Sequence, residues 1–282
     1  AYVSAVFVQE LNANQAAFWG WLNEVFPSSG SGSQNSEAAK NTEHYAIKLA
    51  AKTNSSLKFV NAYFVPLISE KPTYEERGML NDLHETEMAK QKEHISRMLW
   101  GNDIKANEFE FTNEALRGEY PHIVLEDAKN TAADMLIIGS HGSKGFIERI
   151  FANHAWKTLK EAEVPVLIIP ELAFYTGWKN IVFATEYRDG ELPAVKYAAA
   201  LATHFKAQLH ILHIESKWPD DKTDQQNHMK FNNEIIEATG NHNIEFYSIQ
   251  GNEISHALND YCEKHNIDLL MICPEKRNLF EK

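Results

Sequence analysis

The stretch MLIIGSHGSKGFIERIFANHAWKTLKEAEVPVLIIP at 135–170 constrains the fold more than any other part of this chain. An apolar run, Met135 to Ile138, stops at Gly139. A loop with Gly142 and Gly145 follows, then a segment with amphipathic helical spacing, then a second apolar run from Val164 to Ile169. Strand, glycine loop, helix and strand in that order bring backbone N–H groups and a helix N-terminus up to an anion. Glycine lets the backbone take positive φ and approach a ligand closely. The segment therefore predicts a phosphate-binding loop on a parallel sheet.

The chain also repeats itself. YAIKLAAKTNSSLKFVNA at 45–62 aligns without a gap with YAAALATHFKAQLHILHI at 197–214, placing Tyr45 with Tyr197, Leu49 with Leu201 and Leu57 with Leu209. Further on, ADMLIIGSH (133–141) matches IDLLMICPE (267–275). Similarity at this spacing predicts two related domains in tandem. In the second half the pattern predicts strand 180–186, helix 192–205, strand 208–215, helix 223–239, strand 244–249, helix 253–265 and strand 268–273. The strands are near-continuous apolar runs, as expected where helices cover both sheet faces. The fold class is thus α/β: two tandem open, mostly parallel sheets with helices on both faces and right-handed crossovers. Ligands of such sheets bind beyond the carboxyl ends of the strands.

The expected organisation is an atypical N-terminal segment and linker at 1–34, a first domain at 35–172 and a second at 178–282. The second half has no counterpart of the helix and strand at 153–169 and reads as truncated. Within 1–34, residues 3–8 spell a candidate strand. Residues 14–26 have helical apolar spacing at Phe18, Leu22, Val25 and Phe26, and SSGSGSQ at 28–34 reads as a flexible linker.

Charge narrows the function classes. A net charge of -12 over 282 residues speaks against a protein that tracks nucleic-acid phosphates or adsorbs to anionic membranes. No apolar run approaches the ~20 residues of a membrane span. No signal peptide is expected, since a positive n-region is missing and Trp19 and Trp21 interrupt any apolar h-region. Cys262 and Cys273 cannot build a disulfide framework or a metal cluster alone, and read as buried thiols in a reducing cytoplasm.

Other constellations carry less. No Gly-Lys-Ser/Thr phosphate motif is present, and Lys144 reads more readily as a solvated loop lysine than as a phosphate contact. With 13 histidines, chance proximities are expected. His141 and His154 flank the glycine loop. His210 and His213 have opposite parity on one strand, so they face opposite ways and cannot chelate one metal together. No metal site is assigned. The Gly-x-Ser-x-Gly elbow of a hydrolase is missing around Ser140. The acidic run Glu75, Glu76, Asp82, Glu85 and Glu87 reads as a solvated helix face. No catalytic set emerges.

The glycine loop and the VPVLIIP strand resemble the universal stress protein family in its tandem-domain form. The family pattern is Gly-x2-Gly-x9-Gly-Ser/Thr. Here Gly139-Ser140-His141-Gly142 supplies its first part, whereas Ala152 and Asn153 stand where Gly and Ser/Thr belong. The resemblance covers 35–282 and is specific only in 135–170. It implies an adenine nucleotide alpha hydrolase-like, Rossmann-like fold, with ATP and Mg²⁺ as the bound group. By the same resemblance Gly139, Gly142 and Ser143 face phosphate or ribose, Asn153 replaces a hydroxyl, and Ala62 lies near adenine through its backbone. If position 152 needs positive φ, Ala costs on the order of 1 kcal/mol relative to Gly. No Asp stands where the first strand of the first half should end. In the second half Cys273 and Lys276 replace the two loop glycines, and Glu186 falls at the first-strand Asp, so that half reads as having lost the nucleotide. The implied role is cytoplasmic stress signalling or protection, exerted through conformation and partners. The strand at 164–170 is expected to pair in a homodimer or an intramolecular pseudo-dimer. A nucleotide-independent scaffold and a slow ATPase are the alternative readings.

Overall fold

The apolar runs do become the centre of a parallel sheet. In the computed structural model, residues 4–7, 24–26, 37–63, 74–101, 111–140, 158–159, 161–215, 222–240 and 243–273 are described. They form strands β1 (Ser4–Phe7), β2 (Glu24–Phe26), β3 (Leu57–Tyr63), β4 (Phe111–Arg117) and β5 (Leu136–Ser140). Strands β6 (Val166–Pro170), β7 (Asn180–Thr185), β8 (Gln208–Glu215), β9 (Ile244–Gln250) and β10 (Leu269–Ile272) follow. The helices are α1 (Glu37–Thr53), α2 (Tyr74–Gly101), α3 (His122–Asn130), α4 (Leu192–Phe205), α5 (Lys222–Thr239) and α6 (Ile254–Lys264).

All ten strands join one sheet, in the order β4-β3-β2-β5-β6-β1-β10-β7-β8-β9. Every pairing is parallel except one: β6 runs antiparallel to β1, with Ala5 opposite Ile168. That seam divides the sheet into two five-stranded halves of the same order. The second half's fifth place, beside β10, is taken by β1, which pairs Ser4 with Leu269 and Phe7 with Ile272.

Residues alternate between two cores, one on each face, which is why the strands are apolar throughout. Ile137 and Leu167 enter one core, together with Ala46 and Ala50 of α1 and Ala194, Ala198 and Ala202 of α4. Leu136, Ile138, Val166 and Ile168 enter the other, with Val124 of α3 and Leu258 and Cys262 of α6. Small alanines let α1 and α4 lie close on the sheet. No helix among the described residues is long and apolar enough to cross a membrane.

The repeat extends to backbone detail. Asn54 and Lys206, matched by the alignment, both take positive φ (53° and 55°) just after α1 and α4. The next amides close the same bond, Ser55 N–H to the Ala50 carbonyl and Ala207 N–H to the Ala202 carbonyl. Ala132 and Asn266 share a second such position (53° and 50°), followed by Ala133 to Ala128 and Ile267 to Cys262 bonds. These are left-handed helix stops that release the chain into the next strand.

One expectation is corrected. Residues 24–26, inside the stretch with helical spacing, form β2, the first strand of the first half. Its backbone pairs with β3 on one side (Val25 to Phe59) and β5 on the other (Val25 to Ile137). Without it both inner edges would carry unpaired N–H and C=O groups, and that backbone demand overrides apolar spacing.

The segment between the halves is pinned rather than loose. Asn41 Nδ2, buried on α1, donates to the carbonyls of Pro170 (3.1 Å) and Ala173 (2.6 Å). Trp178 Nε1 donates to the Tyr45 hydroxyl at 2.8 Å, and the Tyr175 ring meets Tyr45 edge-on at 5.1 Å.

Candidate functional site

Each half has a switch point where neighbouring strands leave toward opposite faces, between β2 and β5 in the first and between β7 and β10 in the second. Crevices at the carboxyl side of such points are where α/β sheets hold ligands. In the first half Ile138 lies opposite Phe26, the last residue of β2. Gly139 is thus the first β5 residue past the end of β2, at the crevice mouth, and is buried. Extending the registers puts Ala62 of β3 and Ser140 of β5 at one height, on either side of the shorter β2. Two strand spacings separate them, about 10 Å. Ala62 is itself buried. The structure therefore brings Ala62 and Gly139 to one edge. Gly142, Ser143 and Asn153, with Ala152, His141, Lys144 and His154, lie outside the described residues. Beyond them, Thr158 and Leu159 are helical and buried, and Thr158 Oγ1 lies 2.9 Å from the Tyr120 hydroxyl.

The same edge in the second half is built from different chemistry. There Ile272, Ala184 and Leu212 stand level, so Cys273, Thr185 and His213 form the next tier. Thr185 Oγ1 donates to Glu191 Oε2 (2.5 Å) and accepts from the Tyr187 amide (2.9 Å). Glu191, only 2% exposed, also accepts from the Glu186 amide and from Arg188 Nε at 3.0 Å. Arg188 Nη2 reaches across the switch point to the Cys273 carbonyl at 2.7 Å. The half-exposed Glu186 carboxylate pairs with Arg188 at 3.4 Å. A guanidinium thus bridges the ends of the two strands whose counterparts in the first half are β2 and β5, the strand that carries Gly139.

Tyr187 sits in the left-handed region (φ 58°), a conformation that costs a bulky residue roughly 1–3 kcal/mol and persists only where the surroundings hold it. It places the phenol ring over His213 (centroids 4.5 Å apart) and in a stack on His228 of α5 (4.0 Å). Burial, with the neighbouring Glu215 carboxylate, pushes the Tyr187 phenol up to about 12. His210, on the opposite face as its parity requires, instead meets the Tyr261 hydroxyl at 2.9 Å. Burial lowers its pKa, against the pull of Glu245.

Sequence reasoning missed the grouping of His213, Glu215 and His228. A His-x-Glu strand signal was present. Its third member, His228, lies a whole connection and half a helix later, so only the packing of α5 over β8 reveals it.

These features define a class: a tandem, doubly wound α/β protein with a switch-point crevice in each half. Residues 32–170 match the model of the Universal stress protein family, and through them the chain belongs to that family. No curated protein matches the chain. Among solved structures, a universal stress protein from Archaeoglobus fulgidus DSM 4304 is similar over 90% of this chain and 87% of that one, at 14% identity and TM-score 0.59. A functionally unknown protein from Pseudomonas aeruginosa PAO1 is similar over 96% and 86%, at 14% identity and TM-score 0.55. At such identities the likeness speaks for the fold alone.

Proposed function

We propose that the first half binds an adenine nucleotide, ATP with Mg²⁺, in the crevice where β2 ends short between β3 and β5. The chain would act in stress signalling or protection by changing conformation and partners rather than by turnover. One observation carries this reading: the registers set Ala62 and Ser140 level, about 10 Å apart, with Gly139 at the mouth. That gap suits a base and ribose lying across the top of β2. Gly139, Gly142 and Ser143 would offer backbone N–H groups to phosphate, with the Asn153 amide where the family has a hydroxyl. The antiparallel seam between β6 and β1 favours pairing within one chain, with a homodimer the alternative.

A scaffold that needs no nucleotide is the second reading. Pro27 and Ser28 follow β2, where the family's Asp would stand, and Ala152 replaces a glycine. Titration calorimetry with Mg-ATP, using AMP and GTP as controls, separates the two. Saturable heat at one site per chain, abolished by Gly142→Val, supports the nucleotide reading. No heat and no thermal shift at millimolar ATP would sink it and leave the scaffold, because a ligand at 100 times its Kd adds about 2.7 kcal/mol of stability.

A further inference from the structure

At the carboxyl edge of the second half, one ligand atom from each of His213, Glu215 and His228 lies within 4.8 Å of the other two. His213 and Glu215 share one face of β8, two residues apart, and α5 lays His228 against them. Each is held by a neighbour. His213 Nδ1 lies 2.8 Å from the Thr185 carbonyl, which only accepts, so Nδ1 carries the proton and the Nε2 lone pair is left to coordinate. Ser248 Oγ donates to Glu215 Oε1 at 2.6 Å. The Tyr187 ring stacks on the His228 imidazole.

Glu215 supplies the observation that points to a ligand. Its side chain is 6% exposed, and Oε2 is buried with no hydrogen-bond partner among the described residues. A buried carboxylate oxygen without a donor is costly, and a cation is what relieves it. The His228 Nδ1 atom stands 3.9 Å from Oε1, too far for a hydrogen bond and close enough to share an ion.

We propose that His213, Glu215 and His228 form a binding site for one divalent transition-metal cation of the zinc class. Two imidazoles and one carboxylate are a borderline donor set that suits Zn²⁺, and three protein ligands leave a fourth position for water or a ligand group. Tetrahedral coordination at 2.0–2.1 Å brings donor atoms to roughly 3.4 Å from one another, so the side chains close by about 1 Å on binding. Thr185, Ser248 and Tyr187 form the outer shell that orients the ligands. The first half lacks the set: Asn61 and Tyr63 stand where His213 and Glu215 do. The site is thus particular to the half whose crevice Arg188 bridges, and it is independent of the nucleotide reading.

The test uses the full chain without an affinity tag, stripped with a chelator and desalted. Zn²⁺ is titrated against a competing chromophoric chelator, and Co²⁺ uptake is followed by its visible absorption. One equivalent per chain is expected, with Zn²⁺ displacing Co²⁺ and bleaching the band. Glu215→Gln, His213→Asn and His228→Gln should each weaken binding at least 100-fold, while Ser248→Ala weakens it about 10–100-fold. His256→Ala, at an exposed histidine on α6, should change nothing. Urea midpoints and circular dichroism verify that each variant folds. Absence of saturable uptake by the folded wild type, or uptake undiminished in folded Glu215→Gln and His228→Gln, would overturn the assignment.

Discussion

The Arg188–Glu191 pair gives the sharpest test of how the carboxyl edge of the second half is held. Glu191 is 2% exposed and Arg188 24% exposed, with Nη2 to Oε1 at 2.9 Å. Breaking a buried pair by removing one partner typically costs 3–5 kcal/mol, chiefly because the other charge stays buried and unpaired. Arg188 is a quarter exposed and water can replace part of it, so Arg188→Met should cost about 3 kcal/mol, the lower end of that range. Glu191→Gln keeps an acceptor for Thr185 and the Glu186 amide but loses the charge-assisted bonds, about 1–2 kcal/mol. In the double variant no buried charge remains, and the loss should be about 2–3 kcal/mol rather than the sum of about 4–5. The expected coupling is thus about 2 kcal/mol, read from urea midpoints at constant m. Additivity within about 0.5 kcal/mol would refute the reasoning. So would an Arg188→Met variant as stable as wild type: it would mean that water, not Arg188, compensates Glu191.

Two further outcomes follow from the described packing. Asn41→Ala removes the donor to the Pro170 and Ala173 carbonyls; it should lower stability by about 1–3 kcal/mol and Tm by about 2–4 °C per kcal/mol, and a thermal scan within error of wild type would show that the linker is held by its aromatics alone. Burial pushes the Cys262 thiol up to about 12, so the folded state holds a proton that the unfolded state releases near its ordinary value, and stability should fall as pH rises from there toward 12. That fall approaches ~1.4 kcal/mol per pH unit for one group, and subtracting the Cys262→Ala curve isolates it. An identical slope in the variant would contradict the assignment. By the same argument a thiol reagent should label Cys262 only on unfolding.

Much of this fold was written in local pattern. The apolar runs at 135–138 and 164–169 and the alternation across 180–273 locate strands and helices to within a residue or two, because a strand buried on both faces has no polar position to spare. The repeat also foretold which residues would be equivalent, and the matched left-handed stops at Asn54 and Lys206 bear that out in the backbone. Local pattern erred at residues 24–26. Three residues carry too little periodicity to outweigh their surroundings, and the demand came from β3 and β5, distant in sequence.

For the candidate sites the division is similar. Gly139 announces itself because a glycine ending an apolar run before a helix has few other uses, and Ala62 follows from the family's strand order. What Arg188 does could not be read from ATEYRDG, since its partners Glu191 and Cys273 meet only when β7 and β10 lie side by side. The histidine parity on β8 is a property of any strand and was legible in advance. That His213 and Glu215 are met by a histidine from α5 is not, because the angle at which a helix packs on a sheet is decided by side-chain interlocking along its whole length. Sequence by itself determined the class of fold, the repeat and the place of the first crevice, since these follow from short-range periodicity and backbone stereochemistry. Tertiary structure alone decided which strand fills the second half's fifth place and which three side chains converge beside Tyr187, because those depend on contacts between segments that no local rule connects.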